Sequence, residues 1–209
     1  MAANVFVSQH PLVLHKLTLL RSAATEPPQF RALVRELTQL LFFEATRGLA
    51  VKPLTVQTPL AQCRGHQIAR HIDLVPILRA GLGMTEAILD LMPSASVWHL
   101  GLYRDHQTHQ PVTYYSKLPP QPNVGLAFVL DPMLATGGSA VEAITILKKW
   151  GARDITFIGL IAAPEGVRAL GEAHPDVPQF LGAVDSHLNE NCYIVPGLGD
   201  AGDRQFATA

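Results

Sequence analysis

Residues 124–151 read VGLAFVLDPMLATGGSAVEAITILKKWG. An apolar run closes on Asp131, a short loop ends in Thr136, Gly137, Gly138 and Ser139, and a helical pattern continues to Trp150. Strand, glycine loop, helix is the βα unit of an open α/β sheet, in which ligands settle beyond the carboxyl ends of the strands. The glycines let backbone approach a phosphate, the free amides of loop and helix start face it, and the hydroxyls of Thr136 and Ser139 add donors. Asp131 can accept hydrogen bonds from sugar hydroxyls. The segment lacks the GK[ST] of a Walker A loop and the spacing of a dinucleotide turn. The plain alternative is a structural strand-to-helix turn with Ser139 as its cap.

Outward from this unit the pattern repeats. Ile72–Leu78 precedes a helical stretch 85–92, and Ile155–Ala162 precedes another at 165–173. Apolar runs alternating with helices predict an α/β fold with a mainly parallel central sheet. Upstream, Phe30, Leu33, Val34, Leu37, Leu40 and Leu41 form a helical stripe that ends near Gly48. Between the first two units, β-rich runs 97–103 and 112–118 flank the polar segment 104–111, which predicts a hairpin or flap. The tail YIVPGLGDAGDR, with Pro196, Gly197, Gly199 and Gly202, predicts a shaped loop without helix. We expect a single domain over 1–209, with an N-terminal helical segment over 1–50, a core over 51–185 and a hood over 186–209.

A second loop, Arg79-Ala80-Gly81-Leu82-Gly83, follows the strand LVPIL. An arginine at a strand's carboxyl end beside two glycines suits a diphosphate, gripped by charge and by backbone amides together; a surface arginine beside a tight turn is the alternative. Arg104, at the base of the flap, could close a second cation over the same group; a solvated hairpin charge is the alternative. The nine histidines show no HExxH spacing, and no serine has a G-x-S-x-G context. With 48% hydrophobic residues, 16% charged residues and a net charge of −1, the chain has no basic stripe to draw nucleic acid or anionic membrane. Cys63 and Cys192 fit neither a disulfide framework nor a zinc site. The apolar runs are interrupted by charge, so we expect a cytoplasmic protein with no membrane span.

The segments HPLVLHKLTLLR, LVPILRAGLGM, HLGLYRD, PVTYYSKLP, LDPMLATGGSA, AAPEGV, HPDV and YIVPGLGDAGDR, in that order from His10 to Arg204, together resemble the uracil phosphoribosyltransferases. These are enzymes of the type I phosphoribosyltransferase fold, which transfer ribose 5-phosphate from 5-phosphoribosyl 1-diphosphate (PRPP) to uracil. The resemblance implies that Asp131, Pro132, Met133, Leu134, Ala135, Thr136, Gly137, Gly138 and Ser139 form the PRPP loop, and that Arg79 and Arg104 hold the diphosphate. It further implies that Asp200 reaches magnesium-bound PRPP through water, with Mg²⁺ carried by the substrate. The same resemblance places uracil against Ile194 and the backbone of Gly199, Asp200 and Ala201, under a C-terminal hood loop. The catalytic set it implies is Arg79, Arg104, Asp131 and Asp200.

By analogy with other PRPP enzymes, the Leu78–Arg79 peptide is expected to be cis. A homodimer or higher homo-oligomer is implied, and in some members a GTP effector. The sequence departs from the family pattern at Cys192, where glycine is usual, and in the ending QFATA, which lacks its usual glycine. Asp131 is followed by Pro132 in place of the second acid of other PRPP loops, as in the uracil enzymes. Two rival readings are a transferase for a purine, cytosine or orotate, and a regulator that uses the same fold to bind pyrimidine-operon RNA. The YIVPGLGD tail speaks against the first, and the near-zero charge against the second.

Overall fold

The computed structural model describes residues 4–104, 111–116 and 125–208. In chain order the elements are β1 (Val5–Val7), α1 (Pro11–Arg21), α2 (Pro27–Ala45), β2 (Val51–Gln57), β3 (Gln62–Ile68), β4 (Ile72–Leu78) and α3 (Leu82–Leu91). There follow β5 (Ser96–Val97), β6 (Leu100–Arg104), β7 (Pro111–Ser116), β8 (Leu126–Leu130), β9 (Met133–Leu134) and α4 (Gly138–Trp150). The chain continues through β10 (Ile155–Ala162), α5 (Pro164–Ala173), β11 (Gln179–Val184), β12 (His187–Leu188), β13 (Ile194–Val195) and α6 (Ala201–Phe206).

The main sheet runs β1-β11-β10-β8-β4-β6-β7, with β5 on β4 and β9 on β10. Every pair in it is parallel except the β6–β7 hairpin. Its central strands are continuous apolar runs because both faces are covered: β10 is buried at every position, and β4 at all but its last. Successive side chains alternate between two cores. Leu74, Phe128, Leu130, Ile158 and Leu160 pack with α1, α2 and α3. Val75, Ile77, Ala127, Val129 and Phe157 pack with α4 and α5.

Helix α2 buries Phe30, Leu33, Val34, Leu37 and Leu41, the stripe legible in the sequence. Truncating the fully buried Leu37 to alanine would cost about 2–5 kcal/mol through lost burial and the cavity left behind. Residues 5–7 do not stand apart with the N-terminal helices but extend the far edge of the sheet alongside β11. The hairpin β2–β3 is exposed along almost its whole length. Among the described residues, no helix is long and apolar enough to cross a membrane.

Candidate active site

Because β4 and β8 are parallel neighbours, with Pro76 opposite Leu130, the loops that follow them emerge side by side. They touch: a Cβ at Gly81 would overlap the carbonyl oxygen of Leu130, the residue before Asp131. Only glycine lets the arginine loop lie this close to the acid loop. The Leu78–Arg79 peptide is cis, as expected. Arg79 keeps an exposed guanidinium.

In the acid loop, the Met133 amide donates to Asp131 Oδ1 at 3.2 Å. The Pro132 carbonyl accepts from the amides of Leu160 and Ile161, both at 3.1 Å, and the Leu134 carbonyl from Ala163 at 2.9 Å. The loop is thereby sewn to β10. Gly137 takes φ +83°, left-handed backbone that only glycine adopts cheaply. It is the N-cap of α4, and no side chain bonds the helix start. Ser139 therefore lies inside the helix, and the capping role considered for it falls to Gly137. The first amides of a helix have no carbonyl one turn back to bond, so these donors face a cavity of about 140 Å³ lined by Asp131 and Met133–Ala140. A larger groove, about 1120 Å³, lies at the amino ends of the strands beside Val5, Glu44 and Thr156. It lies at the opposite end of the strands from these loops.

Asp131 is half-buried. Loss of hydration pushes its carboxyl up from the ordinary 3.8 to about 7; the Met133 amide opposes the rise and the charge of Asp200 adds to it. The two acids therefore face a common space, although they are far apart in sequence.

The tail is more ordered than glycine content suggested. Its expected loop contains the short strand β13, a cis Val195–Pro196 bond and the helix α6, which overturns the expectation of no helix after Tyr193. Asp200 starts α6 as its N-cap, its Oδ1 accepting from the Asp203 amide at 2.9 Å. Gly199 takes φ +79° just before it. Ile194 and Ala201 are buried in the core. At residues 199–201, main chain and the exposed Asp200 are therefore what the tail can offer a ligand. Cys192 has φ +61°, which accounts for glycine being usual there.

Arg79, Asp131 to Ser139 and Asp200 are thus gathered at one end of the sheet. Arg104 ends β6, but its side chain, like the flap residues 105–110, lies outside the described residues. Sequence reading missed the residues that hold the hood. Arg21 pairs with Asp185 through two bonds of 2.7 and 2.5 Å and donates to the Gly197 carbonyl at 2.7 Å. Asp185 Oδ2 accepts from the Gly197 amide at 2.9 Å. Arg204 donates to the carbonyls of Leu20, Ser22, Thr25 and Leu198, and Glu165 accepts the Leu188 amide at 3.2 Å.

A solved protein from Aquifex aeolicus has a TM-score of 0.92 to this chain at 36% identity, over 98% of this chain and 99% of its own. The structure of APRTase from Giardia lamblia complexed with 9-deazaadenine, at 13% identity and a TM-score of 0.51 over 75% of this chain and 81% of its own, shares the fold. Proteins named uracil phosphoribosyltransferase from Roseiflexus castenholzii and Halalkalibacterium halodurans are 69% and 55% identical over 205 and 207 residues. The matches span 98% and 99% of this chain and 99% of each relative. The family model described as uracil phosphoribosyltransferase matches residues 7–208, and this chain belongs to that family.

Proposed function

We propose that this chain transfers the 5-phosphoribosyl group of PRPP to N1 of uracil, forming UMP and releasing diphosphate, as a cytoplasmic step of pyrimidine salvage. The observation that carries the reading is the seating of Gly81 on the Leu130 carbonyl. It sets an arginine loop beside an acid–TGGS loop at the carboxyl ends of β4 and β8, in a chain of this family.

The amides of 136–139, with the Thr136 and Ser139 hydroxyls, would take the 5-phosphate. Asp131 would accept from the ribose hydroxyls. Arg79, and Arg104 from the flap, would bind the diphosphate. As the bond from the anomeric carbon to the diphosphate oxygen breaks, negative charge gathers on the leaving group, and fixed cations aimed there lower the barrier. The bond to uracil N1 forms, and its proton leaves to Asp200 or to solvent. Uracil presents O2, N3–H and O4 in a row, which main-chain groups at 199–201 can complement without a charged side chain.

The residues present suit magnesium: the charge of Asp200 reaches Asp131 and adds to the rise of its carboxyl, uncompensated negative charge that a bound cation would relieve. Carried by the diphosphate, that ion would supply further charge neutralisation to the leaving group. Uracil-dependent release of diphosphate from PRPP tests the reading. Release with cytosine, orotate or hypoxanthine but not with uracil would refute it.

A homo-oligomer is part of the same reading. Hairpin β2–β3 carries exposed Val51, Leu54, Val56 and Leu60, and a two-stranded ribbon is marginal without something to pack against. A second copy of this chain would cover it.

A further inference from the structure

Arg79 Nη2 donates to Asp203 Oδ1 across 3.3 Å. The contact joins the loop assigned to the diphosphate with the helix that closes the hood. Asp203 is itself held: its amide donates to Asp200 Oδ1, and Thr208 Oγ1 donates to its Oδ1 at 2.7 Å. A second strut fixes the backbone beside it. The buried Gln205 donates through Nε2 to the carbonyls of Ala80 and Ala201, both at 3.0 Å. Loop and hood are therefore tied at the main chain, and what remains free is the direction of the Arg79 side chain, 60% exposed. A long exposed arginine samples many rotamers, and an acceptor on one edge of its guanidinium selects among them.

We propose that Asp203 is a positioning residue. By holding one edge of the Arg79 guanidinium it aims the remaining donors at the leaving diphosphate, and it ties that aim to the closed hood. The inference rests on the reaction proposed above. Nη2 is occupied at Asp203, while Nε and Nη1 still carry donors for phosphate oxygens. Asp203 touches no substrate in this arrangement.

Its charge and its geometry act in opposite senses. A carboxylate near the diphosphate repels it, whereas an aimed arginine speeds departure. Removing Asp203 should therefore slow turnover without weakening PRPP binding. A merely structural role would show instead as a raised KM for uracil through a loosened hood. Arg79 is exposed and Asp203 only half-buried, so the pair contributes little to folding, and thermal unfolding should change little.

The test is steady-state kinetics on the full chain. Asp203→Ala is expected to lower kcat about 10- to 100-fold, the scale of a misaimed group, with KM for PRPP no higher than wild type. Asp203→Asn, which keeps an oxygen acceptor, is expected to stay within about threefold of wild-type kcat. In an Arg79→Ala background, Asp203→Ala should add less than about threefold, since coupled residues are not additive. If Asp203→Ala is insoluble, Asp203→Ser removes the reach to Arg79 and takes its place. Unchanged kcat in the alanine or serine variant, a loss confined to KM for uracil, or an undiminished effect without Arg79 would each overturn the inference and leave the reaction standing. A wild-type chain without uracil-dependent diphosphate release would overturn both.

Discussion

Asp131→Asn should stabilise the protein at pH 8 and much less at pH 5, even as it impairs the enzyme. The Asp131 carboxyl titrates near 7 in the folded chain against an ordinary 3.8. A carboxyl raised in this way favours folding most when both states are protonated, below the unfolded value. That favour is lost as pH rises through the folded value, because the unfolded chain then holds the charge more cheaply. The gap corresponds to on the order of 4 kcal/mol at about 1.36 kcal/mol per pH unit.

Solvent still reaches part of the group, so about 2–4 kcal/mol is expected at pH 8. At pH 5, where the folded acid is neutral and only the unfolded one ionised, less than half of that remains. Asparagine keeps an Oδ1 acceptor for the Met133 amide and carries no charge at either pH. The assay is urea unfolding of wild type and variant at pH 5 and pH 8, with equal slopes as the check that ΔG values compare. A gain independent of pH, or a loss at pH 8, would refute the account of Asp131 as an acid held against its hydration.

Arg79→Ala should lower kcat by about 10²- to 10³-fold while uracil affinity, read by calorimetry, stays within a few-fold, because its proposed partner is the leaving group. Gly199→Val should strongly impair uracil use, since valine at φ +79° is strained. In wild type, kcat/KM should favour uracil over cytosine by roughly thirty-fold or more, two hydrogen-bonding sites being mismatched. Cys192→Gly should raise unfolding free energy by about 1 kcal/mol by relieving its left-handed backbone, measured by chemical denaturation. Light scattering should find a homo-oligomer that Leu54→Asp with Val56→Asp weakens; an unaltered mass would remove hairpin β2–β3 from the interface.

The parts of the fold legible in the sequence are those whose signal is local. Ile72–Leu78 and Ile155–Ala162 are uninterrupted apolar runs because both faces of the sheet are covered, and their bounds match the structure. The acid–TGGS loop is legible because glycine and hydroxyl residues have few other reasons to cluster after a strand. Hairpin β2–β3 was missed because its residues are exposed on both sides and show no alternation. Strand β1 is three residues long and acquires its meaning only from β11 beside it. Helix α6 had a signal, the capping Asp200, but the neighbouring glycines outweighed it in the reading. Arg21 and Asp185 stand 164 residues apart, and nothing near either one predicts the other.

That pairing explains how a glycine-rich tail can have a fixed shape. Segment 196–202 has few side chains to bury, so hydrophobic packing supplies little of its order. Main-chain hydrogen bonds must supply it, and a carbonyl is bound most firmly by a charged donor. Arginine brings five donors in a rigid fork. Arg204 spends its donors on carbonyls of the last turn of α1, of the α1–α2 connection and of Leu198, with its guanidinium 4.4 Å over the Phe30 ring. Arg31 takes the Gln205 carbonyl, and Arg21 takes that of Gly197 while compensating the buried Asp185. Removing one member of such a buried pair typically costs about 3–5 kcal/mol because the other charge is left stranded. If uracil is read by the main chain at 199–201, its specificity is set by the shape of that segment. The shape in turn is held by arginines on the N-terminal helices and within α6, which need not touch the base.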